Sequence, residues 1–142
     1  MVSVSGFRGR VGHPLTPELI SRLAAGFGAF LTQTQNGKTV FLGRDSRTSG
    51  PMFARSAAAG LQSAGCDVVD LGVVPTPTLL LAVEEKGAVG GIGVTASHNP
   101  GEWNALKFAS GEGMFLDAEV MAKFQDYLQK EDPIRADWRD IG

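Results

Sequence analysis

The chain has 142 residues, 43% of them hydrophobic and 20% charged, with a formal net charge of −2. That length suits one domain and the composition is that of an ordinary globular core. No basic excess points to a nucleic acid or to an anionic membrane surface as partner. The single cysteine, Cys66, leaves no intrachain disulfide to form and reads as a small buried hydrophobe. The longest purely apolar run, Leu79 to Val83, is far too short to span a bilayer. The first ten residues lack the apolar core of a signal peptide, so a cytoplasmic protein is the expectation.

Residues 3–14 carry Gly6, Arg8, Gly9, Arg10, Gly12 and Pro14. On this stretch alone they read as a flexible, solvated N-terminal arm, with a loop whose backbone approaches a ligand beside positive charge as the alternative. Thr16 as N-cap and Pro17 at the first helical position open a helix. Leu19, Ile20, Leu23, Phe27, Phe30 and Leu31 share its buried face, and Asn36-Gly37 ends it. Lys38 to Gly43 is a short strand. Arg44-Asp45-Ser46-Arg47-Thr48-Ser49-Gly50 follows, and Pro51 starts the next helix, with Gly60 marking close packing and Gly65 the end. Two arginines between a strand end and a helix start suit an anion. An Arg–Asp network that merely shapes the loop suits the same residues.

Asp67 to Gly72 is a second strand, Val74-Pro75-Thr76-Pro77 a stiff extended turn, and Thr78 to Glu85 a short helix stopped by Gly87. Residues 88–94 form a glycine-rich buried strand that runs into Thr95-Ala96-Ser97-His98-Asn99-Pro100-Gly101, a sharp polar turn. Leu106 to Ala109 and Gly113 to Leu116 read as a hairpin. Asp117 caps a last helix with Val120, Met121, Phe124, Tyr127 and Leu128 on one face, and Asp132-Pro133 ends it. The alternation predicts an α/β fold, a three-layer α/β/α domain with a mostly parallel mixed sheet and a hairpin. The domain is set at 1–132. Residues 133–142 are read as a connector whose Trp138 and Ile141 await something to pack on. The loops after the three strands fall on one side, where such sheets place their ligand crevice, and this convergence favours the anion-binding reading of Arg44 and Arg47.

Three chemistries compete for the turn at Ser97. Gly91 to Ala96 formally fits a dinucleotide fingerprint, but Asn99-Pro100-Gly101 blocks the helix that fingerprint requires. A serine hydrolase lacks the flanking glycines of a nucleophile elbow. It also lacks a placed base, because His98 in extended backbone would point away from Ser97. A phosphoserine uses the features the other two leave idle. It carries a charge of roughly −1.5 to −2 and needs several donors. Lys107, Arg8, and Arg44 or Arg47 supply cations, and Asn99, Asn104 and backbone N–H groups the remaining positions.

Thr95-Ala96-Ser97-His98-Asn99-Pro100, with Asn104 and Lys107 downstream, resembles the phosphoserine loop of the α-D-phosphohexomutase family of phosphoglucomutases, phosphomannomutases and phosphoglucosamine mutases. Ser5-Gly6-Phe7-Arg8-Gly9 resembles the family's N-terminal arginine–glycine loop, Gly43 to Gly50 its second arginine loop and Pro75-Thr76-Pro77 its proline turn. The resemblance covers essentially the whole chain. It departs at Ala105, where the family usually has glycine, so the loop geometry there is expected to differ a little.

The resemblance implies that Ser97 carries a phosphate, donates it to a hexose 1- or 6-phosphate and recovers the other phosphate from a bisphosphate sugar that turns over in the cleft. Lys107 and Arg8 would stabilise the transferring group and help with the proton. His98 would touch phosphate or sugar, or else hold the turn by a hydrogen bond. Arg44, Arg47, Asn99 and Asn104 would bind phosphate or substrate, Asn99 chiefly as a shaper of the loop. It further implies Mg²⁺, bound through the phosphate of Ser97, and a glucose 1,6-bisphosphate-type activator. The Asp-x-Asp-x-Asp metal loop, the sugar-discriminating loop and the C-terminal phosphate-binding loop have no counterpart in the sequence. A truncated first domain, with little or no activity without the remaining mutase domains, is therefore expected, with a non-catalytic phosphosugar-binding or regulatory module that retains the loop as the alternative.

Overall fold

Thr16 ends an extended segment, and its hydroxyl accepts a hydrogen bond from the Leu19 N–H at 3.3 Å. It thereby caps α1 (Pro17–Thr34), in which Pro17 occupies the first turn where no N–H is missed. The computed structural model describes residues 2–3, 6–130 and 132–142. Ser5, counted in the N-terminal motif, lies outside the described residues. The other elements are β1 (Val2–Ser3), β2 (Gly6–Arg10), β3 (Thr39–Arg44), α2 (Gly50–Ser63), β4 (Asp67–Val73), α3 (Thr76–Lys86), β5 (Gly90–Val94), β6 (Trp103–Ser110) and α4 (Ala118–Lys130).

The strands form one mixed sheet in the order β1-β2-β6-β5-β3-β4. β4, β3 and β5 run parallel, while β5, β6, β2 and β1 pair antiparallel in turn. Strand alternation sorts the two faces. Val40, Leu42, Ile92, Val94, Leu106 and Phe108 join the main core with residues of α1, α2 and α4. Phe41 points the other way and packs with Leu79, Val83 and Ala88 under α3. The result is the expected three-layer α/β/α arrangement. An aromatic cluster of Phe27, Phe108 and Phe124, with ring centroids 4.7–5.6 Å apart, ties α1 and α4 to β6.

Several expectations are corrected. Residues 6–10 are not a loop or a loose arm but strand β2, paired along β6 from Gly6↔Lys107 to Arg10↔Trp103. Glycine makes this approach possible, since a Cβ on Gly6 would run into the Leu106 carbonyl oxygen. The expected hairpin is reduced to a turn and a lone bridge between Ala109 and Phe115. The chain has to leave the sheet at once, because Asp117 already caps α4 through the Val120 N–H at 2.8 Å. α3 begins at Thr76, so Pro77 lies in the first helical turn instead of an extended one. Residues 133–142 run back along the end of α2, where the Ala136 N–H donates to the Ser63 carbonyl at 2.8 Å and the Gly142 N–H to that of Gln62 at 3.2 Å. Trp138 and Ile141 nonetheless remain exposed. None of the described helices is long and apolar enough to cross a membrane.

Candidate functional site at the end of the central strand

β5 is buried along its whole length between β3 and β6. Gly91 and Gly93 face α3, and a Cβ on Gly91 would stand 2.8 Å from the Val83 side chain. The chain leaves β5 at Val94, opposite Arg44 at the end of β3, and Thr95 is still buried. Ser97 is the one non-glycine residue among those described with a positive φ, at 57°. An L-residue held there stores strain, and such residues concentrate at working sites. The Ser97 N–H donates to the Thr95 hydroxyl at 3.2 Å, and the Asn99 N–H to the Ala96 carbonyl at 3.1 Å, which closes the turn.

The Ser97 side chain opens onto a cavity of about 240 Å³ lined by Arg8, Thr95, Ala96, Ser97, His98, Asn99, Ala105 and Lys107. Strand register explains the gathering. Arg8 pairs with Ala105, and Lys107 lies between Gly6 and Gly93, so these side chains share the sheet face opposite the main core. Arg8 donates from Nη1 to Asn99 Oδ1 at 3.2 Å. The Lys107 ammonium stands 5.4 Å from the centre of the Phe115 ring. The Ser97 Oγ and His98 Nδ1 are 3.3 Å apart. Two cations and an imidazole around one exposed hydroxyl can neutralise a dianion placed on that hydroxyl.

Ser97, His98, Arg8, Lys107 and Asn99 are thus brought together, and three other expected residues are not. Arg44 lines a separate cavity of about 90 Å³ with Pro75 and Thr76, which meets the Ser97 cavity only at Thr95. Asn104 is fully buried. Its amide donates to the Ser49 hydroxyl at 2.8 Å and its carbonyl oxygen accepts from the Ala105 N–H at 2.8 Å, so both ends of the amide are engaged by protein. Arg47 has every N–H engaged. Nε meets Asp45 Oδ2 at 3.1 Å, Nη1 the carbonyls of Pro100 and Trp103 at 2.7 and 3.1 Å, and Nη2 those of Ser97 and Asn99 at 2.8 and 2.6 Å. No donor of Arg47 is left for a phosphate. The Arg–Asp network weighed against the anion site is what that loop contains. Ala105 sits in regular strand pairing and fits without strain, since Ser97 alone of the described non-glycine residues has a positive φ.

Asp45 is the acid of the Arg–Asp network that the sequence offered. Thr95, Ser49 and Phe115 are given no role of their own by the sequence, and Phe115 could not be found there because only the fold sets it beside Lys107. Among the described residues no three or more His, Cys, Asp or Glu side chains come together to hold a metal ion. These residues do not form a Mg²⁺ cage of their own.

The family model for the phosphoglucomutase/phosphomannomutase alpha/beta/alpha domain I matches residues 2–135. The chain is 39% identical over 138 residues to a phosphoglucomutase/phosphomannomutase of Thermococcus kodakarensis, covering 96% of this chain and 30% of that protein. It is 38% identical over 144 aligned residues to the phosphoglucosamine mutase of Carboxydothermus hydrogenoformans, covering 100% of this chain and 32% of that one. A crystal structure of a phosphoglucomutase/phosphomannomutase family protein from Burkholderia thailandensis superposes with a TM-score of 0.79 at 30% identity, over 91% of this chain and 31% of that one. The chain thus spans about a third of the length of these relatives. Fold, motif order and sequence agree, and the chain belongs to the phosphoglucomutase/phosphomannomutase family, matching its alpha/beta/alpha domain I.

Proposed function

We propose that the chain supplies the phosphate-carrying serine of a hexose-phosphate mutase, and that Ser97 is that serine. One observation carries the reading: the Ser97 hydroxyl stands exposed on a strained turn, at a cavity whose other charged lining residues are Arg8 and Lys107. In the proposed cycle a hydroxyl oxygen of a hexose monophosphate forms a bond to the Ser97 phosphorus as the bond to Oγ breaks, giving a bisphosphate sugar. The sugar reorients and its other phosphate returns to Oγ. Phosphoryl transfer of this kind depends mainly on positioning and on neutralising charge at the equatorial oxygens. Arg8 and Lys107 serve that end. In this reading His98, with Nδ1 3.3 Å from Oγ, gives Oγ a proton as phosphate leaves and recovers it as phosphate returns. The proton lost by the attacking sugar hydroxyl passes to water, and one is regained from water by the sugar oxygen that later gives up its phosphate.

The relatives are about three times as long, so the full cycle is proposed for this chain acting with further domains that bring the metal ligands and read the sugar. The test replaces the matching segment of the Carboxydothermus relative with this chain and supplies Mg²⁺ and labelled glucose 1,6-bisphosphate. Label on the Ser97 peptide, absent in Ser97→Ala, is expected. Label at another residue, or a chain left unlabelled while the unmodified relative is labelled, sinks the reading. Binding of hexose phosphate without labelling of Ser97 would instead favour the non-catalytic module.

A further inference from the structure

We propose that Arg47 is a positioning residue: it clamps the backbone of the Ser97 loop, fixing both the left-handed Ser97 and the Asn99 side chain that receives Arg8. The proposal rests on the reading of Ser97 as the phosphate carrier, and goes beyond it by giving a role to a residue that touches no phosphate. The guanidinium is a rigid planar fork of five N–H donors. Here one side of the fork meets Asp45 and the rest meets four carbonyls between residues 97 and 103. The side chain is only 12% exposed, with its bonds to the Pro100 and Ser97 carbonyls at the outer edge of the fork.

A cation this buried needs a counter-charge. Asp45 gives it, and is itself fixed by accepting the Arg47 backbone N–H at 3.1 Å. The clamp reaches the cavity through Asn99. Its carbonyl accepts from Arg47 at 2.6 Å while its side-chain oxygen accepts from Arg8 at 3.2 Å. One arginine therefore holds the partner of the other. A second tie, from Asn104 at the start of β6 to Ser49, lies alongside. Lysine at position 47 would keep the charge and lose the fork, because one ammonium cannot reach four carbonyls and a carboxylate together.

The test is hydrogen exchange on the 142-residue chain and on Arg47→Lys, following the amides of Asn99 and Trp103, which bond to the Ala96 and Pro100 carbonyls. Exchange there is expected to rise about tenfold or more while the amides of α1 keep their protection. Unchanged exchange in the loop overturns the proposal whether or not Ser97 carries phosphate, and an unlabelled wild-type Ser97 refutes only the functional reading. Asp45→Asn gives the same readout should Arg47→Lys not fold, and is expected to loosen the loop in the same direction. In the chimera with the relative, Arg47→Lys is expected to lower kcat about a hundredfold with KM within about twofold, as misplacement of a reacting group does. A raised KM with kcat retained would put Arg47 on the substrate phosphate and overturn the proposal.

Discussion

The Oγ of Ser97 lies 3.3 Å from Nδ1 of His98, its neighbour in sequence. In extended backbone the two side chains would face opposite ways. The left-handed turn at Ser97, with φ at 57°, brings them onto one side. The same strain that makes the position costly gives the hydroxyl an imidazole partner. Stability and chemistry are therefore opposed at this residue.

Replacing Ser97 separates the two effects. Ser97→Ala removes the hydroxyl and keeps an L side chain in the left-handed region. Ser97→Gly removes the hydroxyl and the steric penalty together. We expect the glycine variant to be the more stable by about 1 kcal/mol, the penalty for a left-handed L-residue less the extra entropy of an unfolded glycine. Both variants lose labelling of the serine peptide. Thermal or denaturant unfolding of the pair decides it, and an alanine variant at least as stable as the glycine one would show the turn to be unstrained.

Asn104 shows where the sequence was legible and where it was not. The loop carrying Ser97 could be read from the residues, since Asn99, Pro100 and Gly101 together signal a turn and the apolar run before them signals burial. The strands β3, β4 and β5 and the helices were equally plain from period and caps, as at Thr16 and Gly87. The direction in which a polar side chain points was not. Asn104, Arg47 and Arg44 look alike from sequence as donors to an anion. Only the register of β6 against β2 and the packing of residues 45–49 under the loop turn the first two towards protein. β2 was missed because glycine and arginine carry no strand signal. Its partner β6 supplies the ladder bonds that the local sequence does not advertise.

Because Asn104 is buried and bonded at both ends of its amide, its removal is expected to destabilise the fold. Asn104→Ala leaves the Ala105 N–H without its side-chain acceptor in the interior, at a cost of about 2 kcal/mol. Ser49 is half-buried and can turn to water, so Ser49→Ala is the milder loss, about 1 kcal/mol. The double variant should fall short of the sum, since both single changes break one shared bond. Strict additivity in urea unfolding would show that the Asn104–Ser49 bond contributes nothing.

At Gly60, α2 packs directly against the backbone of α1. A Cβ there would run into the Ser21 carbonyl oxygen and stand 3.1 Å from the Ala24 side chain. Backbone cannot swing aside as a side chain can. Gly60→Ala should therefore push the helices apart and cost about 2 kcal/mol, despite the better helix propensity of alanine. Gly101 is the control. A Cβ there meets nothing within 4 Å, so Gly101→Ala should change stability by less than about 0.5 kcal/mol. Equal melting temperatures for the two variants would refute the close-packing argument.

Cys66 makes stability depend on pH at the alkaline end. The thiol is fully buried just before β4. Desolvation, helped by the neighbouring Asp67 carboxylate and opposed by Lys38, pushes its pKa up from 9.0 to about 11. In the unfolded chain the thiol loses its proton near pH 9, while in the folded chain it holds that proton until about pH 11. Between these values the unfolded state binds fewer protons, so stability falls as pH rises, and below pH 9 the thiol has no effect. Raising the pKa from 9.0 to about 11 corresponds to on the order of 2 kcal/mol lost across the window. Cys66→Ala starts from a less stable protein because it leaves a small void, but it should lose that much less between pH 9 and 11. Urea midpoints of the two proteins at both ends of the window test this. Parallel decline would mean that the thiolate forms in the folded state as readily as in the unfolded one, and that the Cys66 site is open to water.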